Sequence, residues 1–334
     1  MNQCYVKSMS IIGVLSLSLF TPFVVNASEP TVLKLAHVST LDGPMGIGGE
    51  RFAANLKQVS DGKMTVKVFP KGSLGGTREI WAQMQGGTVD MQVVDLPAIA
   101  ILKPAKAMKV AVMPYMFESQ AHFRKFAESD LLASLANEIT EKTGIRYLGI
   151  VQDRAPRLIS TTGKVVKSVD DVAGLKIRIP GDPVFVKLFK SWGAIPVLTR
   201  HSELFMALKS GMAEGEDRGI TTLAIAPIRE LIKTVSPINW NHSGVAAWIT
   251  ESRWKAFSDQ ERAWVSEAIA ISERDSKKDY EQNLLEARKK LLDMGMVFQE
   301  IDVESFKAAS KDFHKEFKDV WPEGTVEAIK AMAE

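Results

Sequence analysis

Met64-Thr65-Val66-Lys67-Val68-Phe69 alternates its side chains with the period of a strand that buries one face. Upstream, Met45 to Val59 reads as a helix ending at Ser60-Asp61-Gly62-Lys63, preceded by a strand over Val32-Leu33-Lys34-Leu35-Ala36-His37-Val38. Downstream, Pro70 to Gly76 is a loop, Thr77 to Gln85 a helix closed by Gly86-Gly87, and Met91 to Val94 a third strand. Thr77 is the expected N-cap, with Glu79 placed for the helix dipole. Strands and helices alternating at this rhythm predict α/β layering with mostly parallel strands.

The rhythm continues. Helices are expected over Gln120 to Ala127 and Asp130 to Lys142, the second stopped by Gly144, followed by a strand over Ile145 to Val151. In Gly174-Leu175-Lys176-Ile177-Arg178-Ile179-Pro180, the apolar residues define one strand face, Lys176 and Arg178 the other, and Pro180 the stop. Helices follow near Val184–Ser191 and Ser202–Lys209. Ser258-Asp259-Gln260-Glu261 is a capping box opening a stretch free of Gly and Pro until Gly295. That is about 36 residues, or roughly 54 Å of helix. It is either two helices broken near Asp275 or a spine crossing two lobes. Gly43-Pro44-Met45-Gly46-Ile47-Gly48-Gly49 reads as a flexible helix start lining a cleft. Without repeats or a low-complexity linker, a second domain is expected to join through strand crossings rather than a tether.

Lys7 followed by the apolar run Ile11 to Phe20, with Val25-Asn26-Ala27 before Ser28, predicts a signal peptide over residues 1–27 and a periplasmic mature chain. The apolar run is too short for a spanning helix, and Pro22 interrupts it. The single cysteine, Cys4, leaves with the signal, so no disulfide or thiolate metal site is expected. About 307 residues remain (334 less 27), enough for two domains. The formal charge of +2 drops by one with Lys7, which argues against nucleic acid or an anionic membrane surface as partner.

No motif with a catalytic mechanism is present. His37, His122, His201, His242 and His314 are scattered, without metal-ligand spacing. Gly72-Ser73-Leu74-Gly75 does not form a nucleophile elbow, and no dinucleotide fingerprint or Walker lysine occurs. The chain is expected to be no enzyme, with no cofactor and no metal.

An arginine at a strand end (Arg178), with Arg157 some twenty residues upstream, suits a cleft that presents a planar fork to a carboxylate. The alternative is a surface arginine in an exposed pair. Several segments together resemble the solute-binding proteins of TRAP (tripartite ATP-independent periplasmic) transporters, dicarboxylate-type family. They are Gly72 to Ile80, Gly86 to Met91, Asp171 to Pro180, Trp192 to Val197 and Ser202 to Gly215, and their order carries the match across the mature chain.

The resemblance implies a two-lobed periplasmic-binding-protein fold, mixed sheets flanked by helices, and a long helix spanning both lobes. It implies capture of an organic acid and delivery to small and large integral-membrane subunits. The carboxylate-pairing arginine falls on Arg178 and a second on Arg157, with Arg154 as an added candidate that otherwise pairs with Asp153. Where the family has Asp-Gly-Gln-Glu-Asn-Pro, this chain has Glu214-Gly215-Glu216-Asp217-Arg218-Gly219. Arg218 therefore stands in the Asn position, to meet a second ligand carboxylate or to pair with Glu216 or Asp217. Further positions are Asp95 (otherwise a cap for backbone amides), His201 (otherwise a solvated loop residue), Trp240 (otherwise core) and Asn239. His37 and Val38 are expected to line the opposite wall.

Lobe I is expected over residues 28–154 plus about 243–282, and lobe II over 155–242 plus about 283–334, with hinges near Val151–Pro156 and His242–Ala246. A monomer binding a sugar acid is the leading expectation, with a diacid or an aromatic acid behind it. The other functional classes are a sensory protein feeding a membrane receptor and a secreted enzyme.

Overall fold

The computed structural model describes residues 1, 3, 29–199 and 203–333. The expected signal peptide, His201 and Ser202 lie outside these residues, except for Met1 and Gln3. The strands are β1 Thr31–Ala36, β2 Met64–Phe69, β3 Met91–Asp95, β4 Ile145–Arg154, β5 Arg157–Thr161, β6 Lys176–Ile179, β7 Ile195–Leu198, β8 Gly215–Gly219, β9 Thr234–Ser236, β10 Ser243–Thr250 and β11 Val297–Phe298. The α-helices are α1 Pro44–Val59, α2 Thr77–Gln85, α3 Gln120–Ala127, α4 Asp130–Thr143, α5 Pro183–Ser191, α6 Leu204–Lys209, α7 Ile220–Ile225, α8 Glu251–Ala256, α9 Asp259–Asp293, α10 Val303–Ser310 and α11 Thr325–Ala331.

They build two mixed sheets, ordered β2-β1-β3-β10-β4 and β11-β9-β5-β8-β6-β7. In the first, β10 runs antiparallel to both its neighbours. In the second, β5 runs antiparallel to β8 and β9, while β6 pairs in parallel with β7 and β8. Each sheet forms the centre of a lobe, and the chain passes from one to the other through Ala155-Pro156 and returns through 237–242. The two crossings run side by side: the Arg157 amide donates to the Asn241 carbonyl (3.1 Å), and the Trp240 amide to the Arg157 carbonyl (3.3 Å).

The helix after Ser258 is one unbroken rod. Its capping box is formed, with the Ser258 hydroxyl accepting from the Glu261 amide and the Glu261 carboxylate accepting from the Ser258 amide. Val265, Ala268 and Ile269 pack into the core of the first sheet, and Ala287 and Leu291 into a core of the second. A break near Asp275 would separate those two anchorages. In the middle, the Ser276 hydroxyl accepts from the Asp153 amide (2.6 Å) and donates to its carboxylate (3.0 Å). The helix is thereby fixed to the crossing strand.

Two local readings are corrected. Thr77 is the first helical residue, and Gly76 occupies the N-cap without a side-chain bond. The glycines of α1 serve close packing rather than flexibility. Gly46, Gly48 and Gly49 are buried, and a Cβ on Gly48 would lie 2.9 Å from Val151 and 3.0 Å from Gln152. The charged segment 215–219 is a buried strand. Its terminal glycines lie against β5 and the crossing, where a Cβ would sit 2.7 Å from the Ser160 carbonyl or 2.6 Å from that of Ala155.

Candidate functional site: an arginine cluster at the crossing

Four arginines gather where the strands of both sheets end at the crossing. Arg154 ends β4, Arg157 begins β5, Arg178 lies near the end of β6 and Arg218 near the end of β8. All four are mostly buried. Burial of like charges is costly unless each is compensated, so the partners decide the site's chemistry.

Arg154 pairs with Asp95 at the end of β3. The expected Arg154–Asp153 pair is absent, because Asp153 points elsewhere. It accepts from Arg124 through both oxygens (3.1 and 2.5 Å) and from Gln120 (2.6 Å). Nor does Asp95 cap backbone amides. Arg157 donates through Nε to the Asp217 carboxylate and through Nη2 to the Asp217 carbonyl, both at 2.8 Å. The other Asp217 oxygen accepts from the Trp240 indole (2.9 Å). Arg218 pairs with Glu216, one of the two fates its position allowed.

Arg178 differs. Its Nε and Nη2 both donate to the Thr199 carbonyl (3.3 and 2.9 Å), and among the described residues it forms no carboxylate ion pair. It is 9% exposed, so it is not an ordinary surface arginine. Burial pushes its guanidinium below the usual arginine range; Glu216 opposes that shift, and Arg218 and Arg157 add to it. Arg154 is pushed down by burial as well, against the pull of Asp95. Burial raises the Glu216 carboxyl above its usual range, while Arg218 and Arg178 draw it back.

The remaining expected positions separate. Trp240 is fully buried, edge-on to Phe185, Phe189 and Trp192, and lies beneath the Arg157 guanidinium at 5.9 Å. In this conformation it is core, and presents no surface to a ligand. Asn239 is exposed, with a positive φ of 48°. His37 is fully buried after β1; burial lowers its pKa, opposed by a weaker backbone hydrogen bond at Ser39. Val38 is half-buried. A separate crevice of about 240 Å³ lies between the lobes on the α9 side, lined by Asp42, Ile47, Gln152, Thr221 and Tyr280 among others; none of the four arginines lines it.

Sequence reasoning missed Asp217 and Glu216 as site residues. Between glycines, Glu-Asp-Arg has the pattern of a solvated turn, and only the cross-strand partners reveal why it is buried.

This fold has counterparts. The profile of the bacterial extracellular solute-binding protein family 7 matches residues 35–319, and the chain belongs to that family, the solute-binding proteins of TRAP transporters. A solute-binding protein of Roseobacter denitrificans is 28% identical over 85% of this chain and 86% of its own length. The crystal structure of that protein, with bound L-galactonate, superposes with a TM-score of 0.80 at 26% identity, covering 92% of this chain and 99% of the other. The C4-dicarboxylate-binding periplasmic protein of Rhodobacter capsulatus is 26% identical over 77% of this chain and 75% of its own length. TRAP solute-binding proteins bind small organic acids and work with membrane subunits. The family consists of solute-binding proteins rather than enzymes.

Proposed function

We propose that this chain is a periplasmic protein that captures an organic acid between its lobes, with Arg178 as the carboxylate anchor, and hands it to the membrane subunits of a TRAP transporter as a monomer without catalysis. One observation carries the reading. Arg178 is the only member of the arginine cluster without a carboxylate partner among the described residues, while Arg154, Arg157 and Arg218 each have one. A planar guanidinium meets two carboxylate oxygens at once, and such charge-assisted bonds strengthen as water leaves. Binding would thereby favour closure about the crossings at Ala155-Pro156 and 237–242, just outside the paired ends of β4 and β10, a hinge motion that links ligand to conformation. Arg157, tied to Asp217, would support the pocket's charge rather than grip the ligand. The relative solved with L-galactonate favours a sugar acid.

A thermal-shift screen of the mature protein against organic acids tests this, repeated with Arg178→Ala. A true ligand at a hundred times its Kd adds about 2.7 kcal/mol. That gain should vanish in the variant; equal stabilisation of both proteins would contradict the anchor.

A further inference from the structure

We infer that this arginine site accepts one carboxylate and rejects a second, and that Glu216 sets the limit. The inference rests on Arg178 being the anchor and names the acid class that anchor takes.

Ser160, Glu216, Arg178 and Val197 are direct partners across β5, β8, β6 and β7, so they form one row on one face of the second sheet. Arg218, two residues beyond Glu216 on the same strand, shares that face. Glu216 is fully buried and ion-paired with Arg218; apart from that pairing, neither of its oxygens accepts a hydrogen bond from a described residue. Nε and Nη1 of Arg218 likewise make no hydrogen bond outside the pair, and the fully buried Ser160 hydroxyl is also unpartnered.

The charges count simply. Asp95, Asp217 and Glu216 compensate Arg154, Arg157 and Arg218, which leaves the one positive charge of Arg178. A single carboxylate neutralises the cluster. A second would enter beside the fully buried Glu216, where Arg154, Arg157 and Arg218 each already hold a carboxylate, and like charges repel strongly at low dielectric. A hydroxyl meets no such barrier. It would donate to a Glu216 oxygen and accept from Arg218, each of which keeps hydrogen-bonding capacity beyond their pair. The residue in the Asn position therefore serves a hydroxylated chain, and the cluster discriminates against dicarboxylates by charge rather than by size.

Isothermal titration of the mature protein with three matched pairs tests this: glycerate and tartronate, threonate and tartrate, galactonate and galactarate. Within each pair the far end changes only from CH2OH to a carboxylate. In every pair that binds, the monoacid should bind at least tenfold more tightly. Glu216→Gln removes the charge at nearly constant shape and should raise diacid affinity at least tenfold relative to the monoacid. A diacid that equals or exceeds its partner in the parent overturns the inference, as does an unchanged ratio in a folded Glu216→Gln protein. If that variant does not fold, the parent ratios decide alone. No binding by any of the six acids also overturns it; the anchor reading survives that result if the wider screen finds another acid that depends on Arg178, and fails with it otherwise.

Discussion

Arg178 and Glu216 stand opposite each other in paired parallel strands, yet Glu216 is held by Arg218 and Arg178 by the carbonyl of Thr199. An opposed acid and base that do not join leave the base available. The other arginines of the cluster are structural partners of buried carboxylates, and this difference should appear in stability.

Arg157→Ala should therefore destabilise the free protein by about 3–5 kcal/mol, because it strands the fully buried Asp217 carboxylate. Arg178→Ala removes a buried cation that has no carboxylate partner, and should leave the free protein within about 1 kcal/mol of the parent. Urea unfolding of both variants checks the contrast. Equal losses would show that Arg178 is as structural as Arg157.

Acid should weaken the fold through its buried histidines. Burial, with a smaller contribution from His122, lowers His242 from an ordinary 6.5 to about 4, and burial lowers His37 as well. Between these values the unfolded chain binds the proton and the folded chain does not. Stability is thus complete above pH 6.5, falls as the pH drops toward 4, and loses nothing further from this group below that. His242 alone accounts for about 3 kcal/mol at most. Urea midpoints should decline from pH 7 to pH 4.5, and less steeply in His242→Gln. A flat profile in the parent would contradict the burial of these rings as neutral groups.

Gly48→Ala places a methyl group against Val151 and Gln152 on the crossing strand. Overpacking at a site this close should cost about 1–3 kcal/mol. Differential scanning calorimetry would show a lowered Tm; an unchanged Tm would mean that α1 can move away from β4 freely.

Ser276→Ala removes the hydroxyl that serves both the Asp153 amide and its carboxylate at the middle of α9. Leaving those buried groups short of a partner should cost about 1–3 kcal/mol. Amide exchange should quicken at Asp153. Unchanged exchange there would place the attachment of the spine elsewhere along its length.

The α/β rhythm, the capping box at Ser258 and the strand carrying Arg178 were legible in sequence because each depends on local periodicity or on neighbours three residues apart. What the sequence left open depended on distant partners. Asp95 meets Arg154 across the intervening strand β10, and Asp153, beside Arg154 in the chain, is claimed by Arg124 on α3. Glu216-Asp217-Arg218 alternates sides of its strand, so Asp217 serves Arg157 while its two neighbours serve the face of Arg178. Adjacency in the sequence suggests the wrong pairs there, since successive residues of a strand point to opposite faces. Trp240 shows the same limit: an indole near the crossing suits either a ligand cover or a core, and only the ring of Phe185, Phe189 and Trp192 around it distinguishes them.

A crystal structure of the mature protein with the strongest acid from the screen would decide the role of Arg178. The ligand carboxylate should sit with both oxygens about 2.8 Å from the Arg178 guanidinium nitrogens, with Glu216 still paired to Arg218. A carboxylate bound elsewhere, with Arg178 still engaged only by the Thr199 carbonyl, would contradict it.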